Sequence, residues 1–395
     1  MISSLQSHYN CAYRTHVLSA CLGSALFVIF PFAAWAQNPP VDLPDLSLAD
    51  LLKVTIAETD ATESGKPAER PRLHLKYQYI RNQFKGYRSS THGVAMSSLF
   101  PTGLPPAPGK FPVLPRRIVQ QAHTFTASYD VLEDTVLSLM LPYIRQRTDH
   151  LSIVPGFPAF RIASDGIGDV AVSATHRFWQ SPGRQFHWIL GVSAPTGSIN
   201  QKGDTPRSPP GGRDQLPYTM QLGSGTWDVT LGGGYSGQFG DTRDSLRSLG
   251  TLDWGLDVNG KLRAGHNDRD YRLGHVLTTS VWIKAAPVDW LRPKLALATH
   301  VWGRIHGEDQ ELKIGVGANA FFPSPVTDPH LYGGERVNLV VGVELGRRDA
   351  NDDGILAGLL QAQSYLEFGV PVYQRLNGPQ VEQDWQFSAN LNWRF

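Results

Sequence analysis

The chain has 395 residues, enough for two soluble domains or for one barrel with long connections, so length leaves both open. Its 36 lysines plus arginines against 35 aspartates plus glutamates argue against nucleic acid as the main partner. Aromatic residues at 10%, with 39 glycines and 28 prolines, fit many short strands joined by turns.

Residues 1–36 read as a secretory signal: Arg14 precedes an apolar run from Val17 to Phe32, and Ala34-Trp35-Ala36 gives the small-x-small exit ahead of Gln37. Both cysteines, Cys11 and Cys21, fall inside it, so a chain starting at Gln37 carries none. Export without disulfides suits a protein that crosses the periplasm unfolded. Leu18-Ser19-Ala20-Cys21 resembles a lipoprotein cleavage box, yet most of the apolar run follows the cysteine instead of preceding it. An uncleaved anchor is the other alternative, and the Ala-x-Ala exit argues against it. Beyond Gln37 no apolar window reaches the length a membrane helix needs, which leaves a soluble β protein or a closed barrel.

Residues 37–70 are polar and proline-flanked. One short helix is predicted from Ser47 to Val54, with Leu48, Leu51 and Leu52 on one face and Ser47 as N-cap. The segment resembles the leader of some TonB-dependent receptors, which implies a small plug or periplasmic tether; a lead-in without structure of its own is the alternative.

From Arg72 the period becomes two. Leu73, Leu75, Tyr77 and Tyr79 alternate with Arg72, His74, Lys76 and Gln78. The same rows recur in Phe125, Ala127, Tyr129 and Val131, in Leu137, Leu139, Leu141 and Tyr143, and in Phe186, Trp188, Leu190 and Val192. They return in Trp227 to Tyr235, Leu252 to Val258, Leu277 to Ile283, Leu295 to Val301, Val337 to Leu345 and Leu366 to Val372. The opposite faces carry His187, Asp228, Asp253, Asp257, Lys284, Lys294, His300, Glu344 and Glu367. A sandwich core rejects unpaired charge of both signs, whereas a wet lumen accepts it.

Trp385, Phe387, Ala389, Leu391, Trp393 and Phe395 end the chain as six apolar residues on one strand face. Trp393 and the terminal Phe395 resemble the C-terminal assembly signal of bacterial outer-membrane barrels, which implies the barrel-assembly machinery and outer-membrane lipid as partners.

Short turns are predicted near 132–135, 181–184, 237–245, 286–290 and 347–357, and longer connections near 83–118, 147–167, 196–215, 259–271, 304–335 and 375–382. That alternation matches short periplasmic turns and long extracellular loops, so residues 71–395 are expected to form an all-β transmembrane antiparallel β-barrel of about twelve strands. The strand-like stretch Leu312 to Phe322 is assigned to a loop; counting it as part of a further pair raises the number to about fourteen.

Ser164 to Val170 (S-D-G-I-G-D-V), Ala194 to Ser198 (A-P-T-G-S) and Leu216 to Asp228 (L-P-Y-T-M-Q-L-G-S-G-T-W-D) resemble the MetA-pathway of phenol degradation family of outer-membrane proteins. The likeness extends through Trp302-Gly303-Arg304-Ile305 with Gly307 and Asp309, Asp328-Pro329 with Gly333-Gly334, and Gly369 to Gln374 with Leu376 to Gln380. It runs in order over roughly residues 70–395, and residues 37–70 and 83–118 depart from it. The resemblance implies a barrel channel that passes aromatic or other small hydrophobic solutes.

Pore-lining candidates are Arg72, His74, Lys76, Asp228, Lys294, His300, Glu344 and Glu367; loop or constriction candidates are Asp165, Asp169, Gln221, Asp309, Tyr373 and Gln380. For the aspartates and glycines of the motifs, anchoring of turns is the alternative. Leu151 to Phe160, with Phe100 and Phe111, is expected to give an outer vestibule affinity for hydrophobic solutes. Asp349, Asn351 and Asp353 match the first half of a calcium loop, but Leu360 stands where a bidentate glutamate belongs, so no metal is expected; nor is a cofactor. No nucleophile elbow, phosphate loop or dinucleotide fingerprint occurs, which argues against an enzyme. A small-molecule solute is the expected cargo; a non-transporting binding or structural barrel, including one tied to metal handling, and an outer-membrane hydrolase are the second and third classes.

Overall fold

The computed structural model describes residues 73–103, 106–208, 212–239, 250–288, 290–315, 317–346 and 362–395. The signal segment, residues 37–70, Arg72, and Asp349, Asn351 and Asp353 lie outside them. Among the described residues no helix is long and apolar enough to cross a membrane.

Twelve strand elements build the wall: β1 (Leu73–Ser90), β2 (Val113–Leu132), β3 (Thr135–Ser152), β4 (Ala159–Ile167), β5 (Ala171–Ser181), β6 (Arg184–Ser193), β7 (Trp227–Gln238), β8 (Thr251–Ala264), β9 (Val276–Ala286), β10 (Leu291–Trp302), β11 (Gly334–Leu345) and β12 (Gln363–Arg394). Eleven of them pair antiparallel around a closed ring, and β12 returns to β1. The twelfth, β4, pairs with the part of β3 beyond Pro142, in line with β5, which takes the part before it. Together β4 and β5 form one strand interrupted at Gly168 to Val170.

At 32 residues β12 would stretch to about 100 Å if straight, against an apolar band of about 25 Å. Instead it folds back. Ser364 to Leu376 pair with β11, Leu376 to Arg394 pair with β1, and Gly378 takes φ +58° at the turn between the arms. The arms touch each other through Gln374 Nε2 and the Gln383 carbonyl oxygen (3.0 Å) and through the stacked rings of Phe368 and Trp385. Counting both arms, and β4 with β5 as one, twelve segments make the wall.

The alternation places apolar side chains outside. Phe125, Tyr129, Leu139, Trp188, Leu190, Leu231, Leu256, Val281, Leu297, Val341 and Phe368 are exposed on the outer face, and Gln78, Thr124, His187, Thr230, Thr278 and Asn338 are buried inside. This is the reverse of a soluble protein, since so broad an exposed apolar belt needs a non-aqueous surround. The seam closes where Phe395 N donates to the Leu73 carbonyl oxygen (2.9 Å) and Trp393 pairs with Leu75.

Several predicted loop bounds move. β1 continues to Ser90, β2 starts at Val113, and the stretch 147–167 is mostly β3 and β4, joined through residues 153–158. Likewise β8 runs to Ala264, and 375–382 is only a tight turn. Leu312 to Phe322 lies inside the connection between β10 and β11, as two 3-10 turns and one isolated bridge between Ile314 and Phe321.

Candidate functional site

The long connections fold inward at one end of the barrel. Leu99 and Phe111 from the connection after β1, Tyr218 from that after β6, Leu273 from that after β8, and Ile305, Leu312, Val326 and Tyr332 from that after β10 pack on Phe84, Leu114, Ile118 and Val381 of the wall. The middle of this cluster is aromatic. The Tyr218 ring centroid lies 4.8 Å from Tyr271 and 5.7 Å from Tyr332, both edge to face. Their hydroxyls are used: Tyr218 Oη accepts from Asp309 N (2.9 Å), and Tyr332 Oη donates to the Val326 carbonyl oxygen (2.6 Å). The end with long connections is therefore closed by a packed plug. Phe111 is buried in it and Phe100 packs against it, while Phe160 stacks on His150 and packs against Leu216 and Met220. These aromatics fill space inside the closure, whereas Ile153, from the stretch expected to give an outer vestibule its affinity for hydrophobic solutes, is exposed.

The motif aspartates and glutamines fasten the plug. Asp169, at the interruption between β4 and β5, accepts Gly197 N (2.8 Å) on Oδ1 and both Ser224 N (2.8 Å) and Ser224 Oγ (2.9 Å) on Oδ2. The chain segments meet so closely there that a Cβ on Gly197 would stand 2.7 Å from Gly223 Cα, and one on Gly223 would run into Asp169 Oδ1 and the Gly197 carbonyl oxygen. Only glycine fits at either position. Gln221 donates to the Leu216 carbonyl oxygen (2.7 Å) and accepts from Gln201 N (2.9 Å), while its own carbonyl oxygen accepts from Gln146 of β3 (2.8 Å). Asp309 takes Arg269 Nε (2.6 Å) and Nη2 (3.2 Å), tying two connections together. Gln380 donates to the Gly333 (3.0 Å) and Asn377 (2.7 Å) carbonyl oxygens at the β12 turn.

Asp228, expected to line the pore, is fully buried beneath this plug. It accepts from Thr226 Oγ1 (2.8 Å) and Arg263 Nε (3.4 Å). Arg263 also donates to the Gly274 carbonyl oxygen, and the Lys261 ammonium lies buried within the field of Asp228 and Asp169. Lys261 and Arg263, on the inward face of β8 beside the flagged Asp228, were not among the residues expected from the sequence.

Below the plug the lumen opens into a cavity of about 140 Å³. His187, Asp257, Trp282, Lys284, Glu344 and Glu367 are among its lining groups, with Lys294, His300, Arg336 and Asn338. Charges there sit in pairs: Glu344 accepts from Lys284 (3.1 Å), Arg292 (3.5 Å) and Gln363 (2.5 Å), and Lys294 lies 3.3 Å from Glu367. Trp282 donates to Asp257 (2.9 Å) with both lysine ammoniums within 6 Å of its ring. Gly255 clears the wall for that indole.

Of the pore-lining candidates, Lys294, His300, Glu344 and Glu367 line this cavity. Two others do not reach it: His74 bonds Asp130 (3.1 Å) near the seam, and Lys76 is half-buried in the field of Glu367 and Lys294. Asp165 and Tyr373 point outward, which corrects their assignment to a constriction: Asp165 accepts from Tyr143 (2.6 Å), and Tyr373 donates to Glu335 (2.9 Å). For Tyr373 the cause is a bulge, since Val337 pairs with Tyr373 and Asn338 with Pro371, leaving Val372 extra and reversing the alternation. Among the described residues no cluster of three metal-ligating side chains occurs.

No family model matches the chain, and no curated protein matches it. Among solved structures it is similar to the COG4313 outer membrane channel from Pseudomonas putida F1, at a TM-score of 0.50 and 12% identity over 84% of this chain and 100% of that one. The toluene transporter TodX of P. putida follows at 0.36 and 8% identity (85% and 92% covered), and a Pseudomonas aeruginosa FadL homologue at 0.34 and 12% (82% and 89%). At such identities the likeness to the COG4313 channel is one of fold alone: a closed antiparallel barrel.

Proposed function

We propose that the protein is an outer-membrane channel through which small, aromatic or otherwise hydrophobic molecules pass down their gradient. The observation that carries this reading is the closed ring with an apolar belt outside and a polar cavity inside, an arrangement that stabilises a chain only with lipid around it and water or solute within. The fold shared with a channel of known structure supports it. In this reading residues 1–36 export the chain, the barrel-assembly machinery inserts it, the short turns face the periplasm and the plugged end faces outward.

The same reading relates the chain to the MetA-pathway of phenol degradation family, its motif residues acting as fastenings of the plug. Passage requires the plug to yield. Its tyrosine cluster offers a passing ring the aromatic contacts it already makes, and two of the bonds that Asp169 accepts come from backbone N–H groups that water can replace. Below it, paired charges keep the lumen wet without a strong field of either sign.

The test is entry of a labelled monoaromatic solute into proteoliposomes. The reading expects faster entry than into empty liposomes and none for a sugar of similar mass. Equal entry with and without the barrel would remove the transport role and leave a sealed binding or structural barrel, the alternative that the plug favours.

A further inference from the structure

The wall is not of even height. β1, β2 and β3 have 18, 20 and 18 residues, whereas β7, β9, β10 and β11 have 11 or 12. On the tall side the outer face changes character at one level. Tyr79, His123 and Tyr143 form a ring row there, with centroids 5.1 Å and 6.4 Å apart, the aromatic girdle expected where hydrocarbon ends. Below it lie Phe125 and Leu141. Above it cations join the rows. Phe387, Arg81, Gln121, Arg145 and Asp165 lie side by side in the first row, Trp385, Gln83, Val119, Arg147 and Ala163 in the second, and Lys85, Arg117, Asp149 and Arg161 in the third. At two residues per row these groups stand about 7 to 20 Å above the girdle.

The carboxylates on this face are already engaged: Asp149 with Arg161 (2.6 Å), Asp165 with Tyr143 (2.6 Å) and Asp384 with Gln83 (2.8 Å). Lys85, Arg145 and Arg147 are exposed and have no hydrogen-bond or ion-pair partner among the described residues. The Arg81 Nε is hidden from solvent without an acceptor, its guanidinium lying over the Trp385 ring. The inward face of these same rows holds the plug, which accounts for the extra height of the wall but not for cations on its outside.

We propose that this outward cationic ladder binds the phosphate groups of a phosphorylated glycolipid in the outer leaflet, with Arg145 and Arg147 as its centre. Guanidinium groups match phosphate oxygens in pairs, and the girdle sets the ladder at the height where such headgroups begin. The proposal rests on the reading of the barrel as an outer-membrane protein with its plugged end outward.

Native mass spectrometry of barrel mixed with purified lipopolysaccharide in detergent tests it, using wild type, an Arg145→Gln/Arg147→Gln double variant, and Arg184→Gln at an exposed position by the short turns as control. Wild type and Arg184→Gln retain the glycolipid, and the double variant retains about tenfold less. Enzymatically dephosphorylated glycolipid binds wild type as weakly as the double variant. Inorganic phosphate displacing the intact glycolipid at low concentration would assign the site to free phosphate and overturn the lipid proposal; equal retention by all three proteins would overturn it outright. Heat-modifiable gel migration, unchanged in the double variant, shows the barrel intact. Because binding is read without any solute flux, a barrel that fails the transport test still decides this one.

Discussion

The two halves of the lumen differ in kind. Towards the long connections the interior is packed with tyrosine and aliphatic side chains, and its polar atoms are spent on fastening chain segments to one another. Towards the short turns it is a cavity whose walls carry carboxylates and ammoniums in pairs. A hydrocarbon is at home in the first and a hydrated ion in the second. In the proposed channel the plug therefore limits passage, and the cavity tunes charge preference.

Removing a fastening beneath the plug has the largest expected effect. Asp228→Ala leaves Arg263 buried without its carboxylate, a loss of about 3 kcal/mol or more, read as a lower midpoint of urea unfolding in detergent micelles. Gly223→Ala comes next. Its new methyl group meets Asp169 and Gly197 backbone, so the junction opens at a cost of about 1–3 kcal/mol, and the plug loosens with higher conductance.

Smaller and different in kind is Glu344→Gln in the cavity, which leaves Lys284 and Arg292 without their shared carboxylate. The reversal potential in a salt gradient then moves towards anion preference, by roughly twofold in the permeability ratio. The smallest effect belongs to Asp165→Ala on the outer face: stability within about 0.5 kcal/mol of wild type and conductance unaltered. An Asp165 variant that changed conductance would break the division between outer face and lumen drawn here.

The wall was legible because lipid on one side and water on the other make the period of two one-sided. Leu137, Leu139 and Leu141 are exposed, and Ser138 and Met140 between them are buried. Legibility stops where lipid stops. Above Tyr143 the outer face becomes Arg145, Arg147 and Asp149 while the inner face remains Gln146, Thr148 and His150, so both faces are polar and a strand reads as a loop. The plug was hidden for a related reason: Tyr218, Tyr271 and Tyr332 lie in three separate connections with no period, and only the fold brings them together. The motif aspartates were visible by resemblance. Whether each faced solute, lipid or backbone depended on bulges and register that spacing alone does not encode, as Tyr373 shows.

The claim that matters most is that the tyrosine-centred plug closes the barrel. Single-channel conductance of wild type and Tyr218→Ala in the same planar bilayer tests it, with heat-modifiable migration confirming that both are folded. The account predicts a larger and longer-lived conductance once the central ring is gone. Equal conductance in the two proteins would contradict it.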